Sequence, residues 1–327
     1  MNGDAGIGER PGTALSVRIA VMQMKSLPGA TEENLRNASS WAARAKSGGA
    51  EMLLFPELMP SGYSISRSAW TSAEGSEGAV VRWLLETAFR LGVWIGTSYL
   101  ETDGTDFFNT FVLADPAGKE AGRVRKEHPA FWESFLFRGV NGSRVIETPL
   151  GRIGIALCID GHYSATLRDL AAQDIDLLLL PHANVQPAFE KSSGAAAEIE
   201  RLKDILAGLP AAHARRLGVP VALANQCGDW SPPRMVGDRQ PYRFTGRSGI
   251  ADSDGTVRVR MDCEEGFAAA DVILDPSRKR KEVETGGGRW VYKPPKGAGI
   301  LSLVEAVGYA WYRVNKGRKE AAKRQTS

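Results

Sequence analysis

Cys158 closes an apolar run, Arg152-Ile-Gly-Ile-Ala-Leu-Cys158, and Ile159-Asp160-Gly161-His162 follow at once. A strand that stops at a thiol and turns sharply leaves that thiol exposed at a sheet edge. Amides of the turn then point at any oxyanion formed on a substrate there. This is a placement for nucleophilic attack on a carbonyl carbon. A lone cysteine is more often a small core hydrophobe, the reading that suits Cys227 and Cys263. Two charged positions shift the balance for Cys158. Glu57, in Phe55-Pro56-Glu57, follows the apolar residues 52–55 and so stands at a strand end. Lys126, in Arg125-Lys126-Glu127-His128-Pro129, stands just past a hairpin. Taken singly, each reads as a surface charge. The sequence carries no GxGxxG after a strand, no GxxxxGK[ST], no HExxH and no GxSxG, so dinucleotide, P-loop, zincin and serine-elbow chemistries lapse.

These side chains need a frame, and the apolar pattern supplies one. Short runs at 17–22, 52–55, 93–98, 107–113, 152–158, 175–180, 219–224, 248–251, 257–261 and 267–274 read as strands. Helical patterns lie between them at 32–45, 79–91, 165–172 and 195–217. Leu177–Leu180 is a continuous apolar run between Asp176 and Pro181, as expected of a strand buried on both faces. Residues 107–124 and 257–274 look like hairpins. Helices outside a mixed set of strands suggest an α/β layer protein with no linker inside 17–275. Residues 1–16 read as a disordered leader, and 276–327 as an extension with a terminal helix at 300–314.

In their order and spacing, the three chemical positions resemble the nitrilase, or carbon–nitrogen hydrolase, superfamily. The likeness rests on Phe-Pro-Glu57, Arg-Lys126-Glu-His128 and Gly151-Arg-Ile-Gly154-Ile-Ala-Leu-Cys158-Ile-Asp160. Leu-Leu-Leu-Pro181, Gly246-Arg-Ser248-Gly-Ile250 and Glu264-Glu265-Gly266 add to it. The resemblance implies a four-layer αββα sandwich over 17–275 and a Glu57-Lys126-Cys158 triad that hydrolyses an amide through a thioester. Glu57 would serve as general base; Lys126 and the Ile159 amide would face the oxyanion. Glu133 matches a second family glutamate that orients the lysine. Trp132, Ile159, His162 and Asn184 are the substrate-binding candidates, with Phe131, Tyr163 and Trp230 as further pocket walls.

The branch is read from departures. True nitrilases typically carry Trp after the nucleophile, where this chain has Ile159, so an amidase or carbamoyl-hydrolase branch fits better. Carbamoyl-amino-acid hydrolases commonly place an arginine three residues after the cysteine; Gly161 stands there, which removes the usual grip on a substrate carboxylate. The family's acidic position near 212–218 is missing from Ala-His-Ala-Arg-Arg-Leu-Gly, and 228–242 looks like an insertion. Acyl transfer, nitrile or carbamoyl hydrolysis, and a non-catalytic binding subunit are the alternatives. Only the last would dispense with the triad.

Composition bounds the partners. Among 327 residues the formal net charge is +3, too small for an electrostatic nucleic-acid binder. Three cysteines without a CxxC suggest neither a disulfide framework nor a metal site, and no metal or cofactor is expected. No apolar run reaches membrane-helix length and no signal peptide is evident, so a small-molecule enzyme of the reducing cytoplasm is the expectation. The helix at 195–217 and the terminal helix, with Tyr309 and Trp311, suggest a homodimer or higher oligomer. Folding of that last helix onto its own subunit is the alternative.

Overall fold

The computed structural model describes residues 14–188, 193–231, 241–285 and 288–325; most of the expected leader and of the 228–242 insertion lie outside them. The first half of the chain gives β1 (Leu15–Gln23), α1 (Thr31–Ser47), β2 (Met52–Leu54), α2 (Ala79–Leu91), β3 (Trp94–Thr102), β4 (Phe107–Ala114) and β5 (Glu120–Arg125). The second half gives β6 (Val145–Thr148), β7 (Gly151–Ile155), α3 (Ser164–Ala172), β8 (Leu177–His182), β9 (Val185–Pro187), α4 (Ser193–Leu217) and β10 (Val221–Asn225). After these come β11 (Asp229–Trp230), β12 (Tyr242–Phe244), β13 (Gly249–Ala251), β14 (Val257–Arg260), β15 (Gly266–Leu274), α5 (Ala298–Val314) and α6 (Lys316–Arg324).

Two six-stranded sheets result, ordered β15-β1-β2-β3-β4-β5 and β14-β13-β10-β8-β7-β6. Strand alternation sorts side chains into layers. Ile19, Val21 and Leu54 of the first sheet interdigitate with Ile153, Leu177, Leu179 and Ala222 of the second. On the outer face of the first sheet, Ala20, Met22, Leu53 and Ile95 pack against Ala38 and Ala42 of α1 and Leu84 of α2. On the outer face of the second, Leu178, Leu180 and Leu223 pack against Leu170 of α3 and Leu206, Leu209 and Ala214 of α4. The layers therefore read helix, sheet, sheet, helix, and the αββα expectation holds.

Two expectations change. Residues 257–274 are not a hairpin: β14 pairs with β13 in one sheet, while β15 pairs antiparallel with β1 along its whole length in the other. The intervening residues 261–265 cross between sheets. Sequence proximity favoured a hairpin, but Val272 and Leu274 reach the inter-sheet core only beside β1. The apolar stripe of α4 needs no partner subunit either, because Leu206 and Leu209 are buried against this chain's own sheet.

The terminal helix likewise returns to its own subunit. α5 lies across a 3-10 turn, Phe131–Phe135, with Gly308 so close to Ser134 that an added Cβ would sit 1.9 Å from its Oγ. The Tyr312 hydroxyl accepts the Phe107 N–H at 2.8 Å, and Arg318 in the unexpected helix α6 pairs with Asp106. Ile300, Leu303, Val307 and Val314 remain exposed on the other side. No helix among the described residues is long and apolar enough to cross a membrane.

Candidate active site

Glu57, Lys126, Glu133 and Cys158 converge where ends of both sheets meet. Glu57 lies just past β2, its backbone N–H donating to the His182 carbonyl at 3.2 Å, which ties the first sheet to β8 of the second. Its carbonyl accepts from Gln226 Nε2 at 2.8 Å. Lys126 directly follows β5, its N–H donating to the Asn109 carbonyl at 2.8 Å. Glu133 sits in the 3-10 turn, and Cys158 opens a second such turn, Cys158–His162, rather than ending a strand.

The three charged side chains are fully buried as one cluster. Lys126 Nζ donates to Glu57 Oε1 and Glu133 Oε2, both at 2.7 Å. Asn109 Nδ2 also donates to Glu57 Oε1, at 2.8 Å. Glu133 accepts the Tyr63 hydroxyl at 2.9 Å and the Ala130 N–H at 2.7 Å. Glu57 Oε2 has no hydrogen-bond partner of its own, and the Cys158 thiol lies against this carboxylate.

Two carboxylates and one ammonium would leave a buried excess negative charge if all were ionised, and burial resists that. Glu57 absorbs the strain: desolvation, only partly opposed by Lys126, pushes its pKa up to about 7. Burial alone would discharge Lys126, but Glu133 and Glu57 outweigh it and hold the ammonium well above its usual range. Burial and the Glu57 charge push the Cys158 thiol up, so it rests as a thiol beside a carboxyl poised near neutrality. This arrangement can take a proton from sulfur and return it within one turnover.

Residues outside the motifs fix the frame. Asp160, fully buried, accepts the backbone N–H of Glu127 at 3.1 Å and of His128 at 3.0 Å, which locks the thiol turn to the lysine loop. Buried Arg144 pairs with Glu127 and, at 3.6 Å, with Asp160. His213, in the segment that lacks the expected acidic residue, meets the Gly161 carbonyl with Nε2 at 2.7 Å. Asn109, Tyr63 and His213 escaped the sequence reading, since an Asn in a strand, a Tyr in a loop and a His in a helix carry no spacing signal.

A cavity of about 190 Å3 opens above Cys158. Ile159, His162 and Asn184 line it, as do Tyr63 and Phe131. Trp132 is placed elsewhere, its ring 5.6 Å from Phe135, because the turn presents Phe131 to the cavity instead. Trp230 lies tilted against Tyr63, ring centres 5.9 Å apart, and Tyr163 packs edge-on against Trp290 at 5.1 Å. Leu202, Ile205, Trp290 and Tyr292 complete an apolar lining that the motifs did not reveal. His182 Nδ1 donates to the Leu180 carbonyl at 3.1 Å, so its Nε2 accepts from His162 Nε2 at 3.1 Å. His162 Nδ1 must then accept the Tyr292 hydroxyl at 2.5 Å. Burial keeps both imidazoles neutral, with the pKa of His182 driven down to about 3. Among the described residues no group of three His, Cys, Asp or Glu side chains is arranged to hold a metal ion.

The comparisons with known proteins agree with this architecture. The carbon-nitrogen hydrolase family model matches residues 18–281, and the chain belongs to that family. A nitrilase of Pyrococcus abyssi is 29% identical over 270 residues, covering 81% of this chain and 93% of its own. An N-carbamoylputrescine amidase of Arabidopsis thaliana is 27% identical over 60% of this chain, a match that covers 64% of the plant protein. Among solved structures, a carbon-nitrogen hydrolase from Helicobacter pylori superposes with a TM-score of 0.70 at 18% identity, covering 92% and 96% of the two chains. An amidase from Nesterenkonia sp. superposes with a TM-score of 0.65 at 24% identity, covering 81% and 93%. Relatives named for nitrile and for amide chemistry therefore stand side by side, and family membership carries C–N hydrolysis without choosing between them.

Proposed function

We propose that the protein hydrolyses a neutral carboxamide, with Cys158 as nucleophile, Glu57 as proton carrier, Lys126 as oxyanion partner and Glu133 as the residue that orients Lys126. Cys158 Sγ bonds to the carbonyl carbon while its proton passes to Glu57; the oxyanion faces Lys126 and the Ile159 N–H. Collapse breaks the C–N bond, Glu57 protonates the leaving ammonia, and an acyl thioester remains. Water then attacks the thioester, giving its proton to Glu57, and the acid leaves as Cys158 regains its thiol proton. The sum is amide plus water to carboxylic acid plus ammonia.

The observation that carries this reading is Glu57: one carboxylate oxygen is spent on Lys126 and Asn109, the other is unpaired beside the thiol, and its pKa stands at about 7. A neutral substrate is supported by a cavity whose described lining holds no lysine or arginine. At Gly161 an added Cβ would press on the Leu180 side chain at 3.0 Å, so the arginine of carbamoyl-amino-acid hydrolases would fit only if Leu180 shifted. A nitrile is the second reading, favoured by the Pyrococcus relative. An ammonia-release panel of amides, nitriles and carbamoyl compounds separates them. Amides should turn over, Cys158→Ala should release no ammonia while staying folded, and hydroxylamine should divert the thioester to a hydroxamate. Ammonia released by Cys158→Ala would remove the mechanism.

A cytoplasmic homo-oligomer belongs to the same reading. Ile300, Leu303 and Val307 follow one another at three- and four-residue steps on the exposed face of α5, a self-complementary stripe for a second copy. Leu303→Glu should lower the mass seen by light scattering; an unchanged mass would exclude α5 from assembly.

A further inference from the structure

Gln186 sits in β9, between Val185 and Pro187, and is only 5% exposed. Strand β9 is held to β12, with Gln186 opposite Arg243, so its backbone position is fixed. Its carboxamide is nevertheless unused: neither Oε1 nor Nε2 has a hydrogen-bond partner, and both are buried. Buried amides are ordinarily paired, and an orphan of this kind calls for a missing partner.

The residue lines the cavity above Cys158, and it also lines a more polar cavity bordered by Lys25, Lys203 and Glu264. Three other polar groups around the first cavity are engaged. Tyr63 is spent on Glu133, Glu133 on Lys126, and the Tyr292 hydroxyl on His162. Trp290 and Tyr292, which wall the same cavity, lie beyond the matched family segment 18–281. This pocket is thus built partly by residues of the C-terminal segment outside the family match.

We propose that Gln186 is a substrate-recognition residue, and that the acyl portion of the substrate ends in a second neutral group offering both a hydrogen-bond donor and an acceptor, of the carboxamide type. A primary carboxamide matches it twice over, because its C=O can accept from Nε2 while its N–H donates to Oε1. Neither a carboxylate nor an ammonium satisfies both atoms, and an alkyl end satisfies none. The apolar walls of Leu202, Ile205 and Trp290 would hold the methylene chain between the two polar ends. A site built to bond a polar group discriminates sharply against analogues that lack it. This inference rests on the amidase reading above and adds the identity of the far end.

The test uses the full-length protein and ammonia release from α,ω-diamides of increasing length, each beside the alkyl monoamide and the ω-carboxyl monoamide of matching length. One diamide length should exceed both partners by at least about tenfold in kcat/KM. Gln186→Leu should bring the diamide-to-alkyl ratio to one or below. It should also raise the melting temperature, since an apolar group replaces an unpaired buried amide. Gln186→Glu should move the preference to an amide ending in an ammonium. Turnover of alkyl amides with no diamide preference at any length would overturn the inference and leave the amidase reading standing. A preference that survives Gln186→Leu would overturn it as well, as would a fall in melting temperature, which would mean that water from the second cavity already satisfies the residue. No ammonia from any amide would overturn both readings together.

Discussion

Replacing Glu57 by Gln tests the electrostatic core of the site. Glutamine keeps an Oε1 to accept from Lys126 and Asn109, yet it carries no charge and cannot take a proton from sulfur. In the wild type the carboxyl rises from an ordinary 4.5 to about 7 on folding. A raised folded-state pKa means that this group's stabilising contribution is complete below about 4.5 and is lost as pH climbs through about 7. At about 1.4 kcal/mol per pH unit, the loss approaches about 3 kcal/mol by pH ~9. The substituted protein has no such loss. Its advantage in melting temperature should therefore widen by several degrees between pH ~4.5 and pH ~9, read by circular dichroism or dye fluorescence. In the same window wild-type kcat/KM should rise with pH on an acid limb centred near pH ~7, and Glu57→Gln should lower the rate by about 100-fold or more. A melting difference that stays constant with pH, or an acid limb in the usual carboxylate range near ~4.5, would refute a base poised by burial.

Asp160→Asn replaces an acceptor with an amide N–H that faces the donors of Glu127 or His128, so the thiol turn and the lysine loop should part. We expect kcat to fall about tenfold or more with KM changed less, at a stability cost of about 1–3 kcal/mol; an unchanged kcat would show that the tether is ornamental. Gly308→Val drives a Cβ into Ser134 and the ring of Phe135, displacing the turn that carries Glu133. Activity should drop while helix content persists, and Ser134→Gly should rescue the milder Gly308→Ala; absence of rescue would break the proposed link from α5 to the site.

The candidate constellation was legible because its members are chemically marked residues within short motifs that keep their spacing, Glu57 and Lys126 just past strand ends and Glu133 and Cys158 in tight turns. Glu57, Lys126, Glu133 and Cys158 do meet in one buried cluster. The continuous apolar run Leu177–Leu180 marked a strand buried on both faces, and Leu177 and Leu179 do face one core while Leu178 and Leu180 face the other; the four-layer order itself came from the family resemblance. What stayed hidden depends on contacts between distant segments. Nothing local says that Trp290 and Tyr292 fold back to wall a cavity made by Ile159 and Leu202, or that Phe131 rather than Trp132 turns inward. Likewise the pairing of β15 with β1 joins residues about 250 apart, and only the demand for a filled inter-sheet core selects it over the nearer hairpin.

Backbone conformation adds a level that residue types do not reveal. Five described non-glycine residues have φ in the left-handed region, and three of them flank or form the site: Leu58 at +50°, Phe131 at +46° and Cys158 at +48°. Such positions cost on the order of 1–3 kcal/mol each and persist only where surroundings over-determine them. Those surroundings are visible. The Leu58 N–H is taken by Ser98 Oγ at 3.0 Å, and the Phe131 carbonyl by Ser134 Oγ at 2.5 Å. The Cys158 turn is held by Asp160 and His213. Leu58 and Cys158 each follow a strand end within a few residues, and Phe131 opens the 3-10 turn that carries Glu133. Glu57 precedes one, Glu133 follows another by two residues, and Cys158 is itself the third. The sheets supply a rigid frame, and these three turns bend the chain out of it towards a common point, which is why the site is compact although its members are spread over about a hundred residues of sequence.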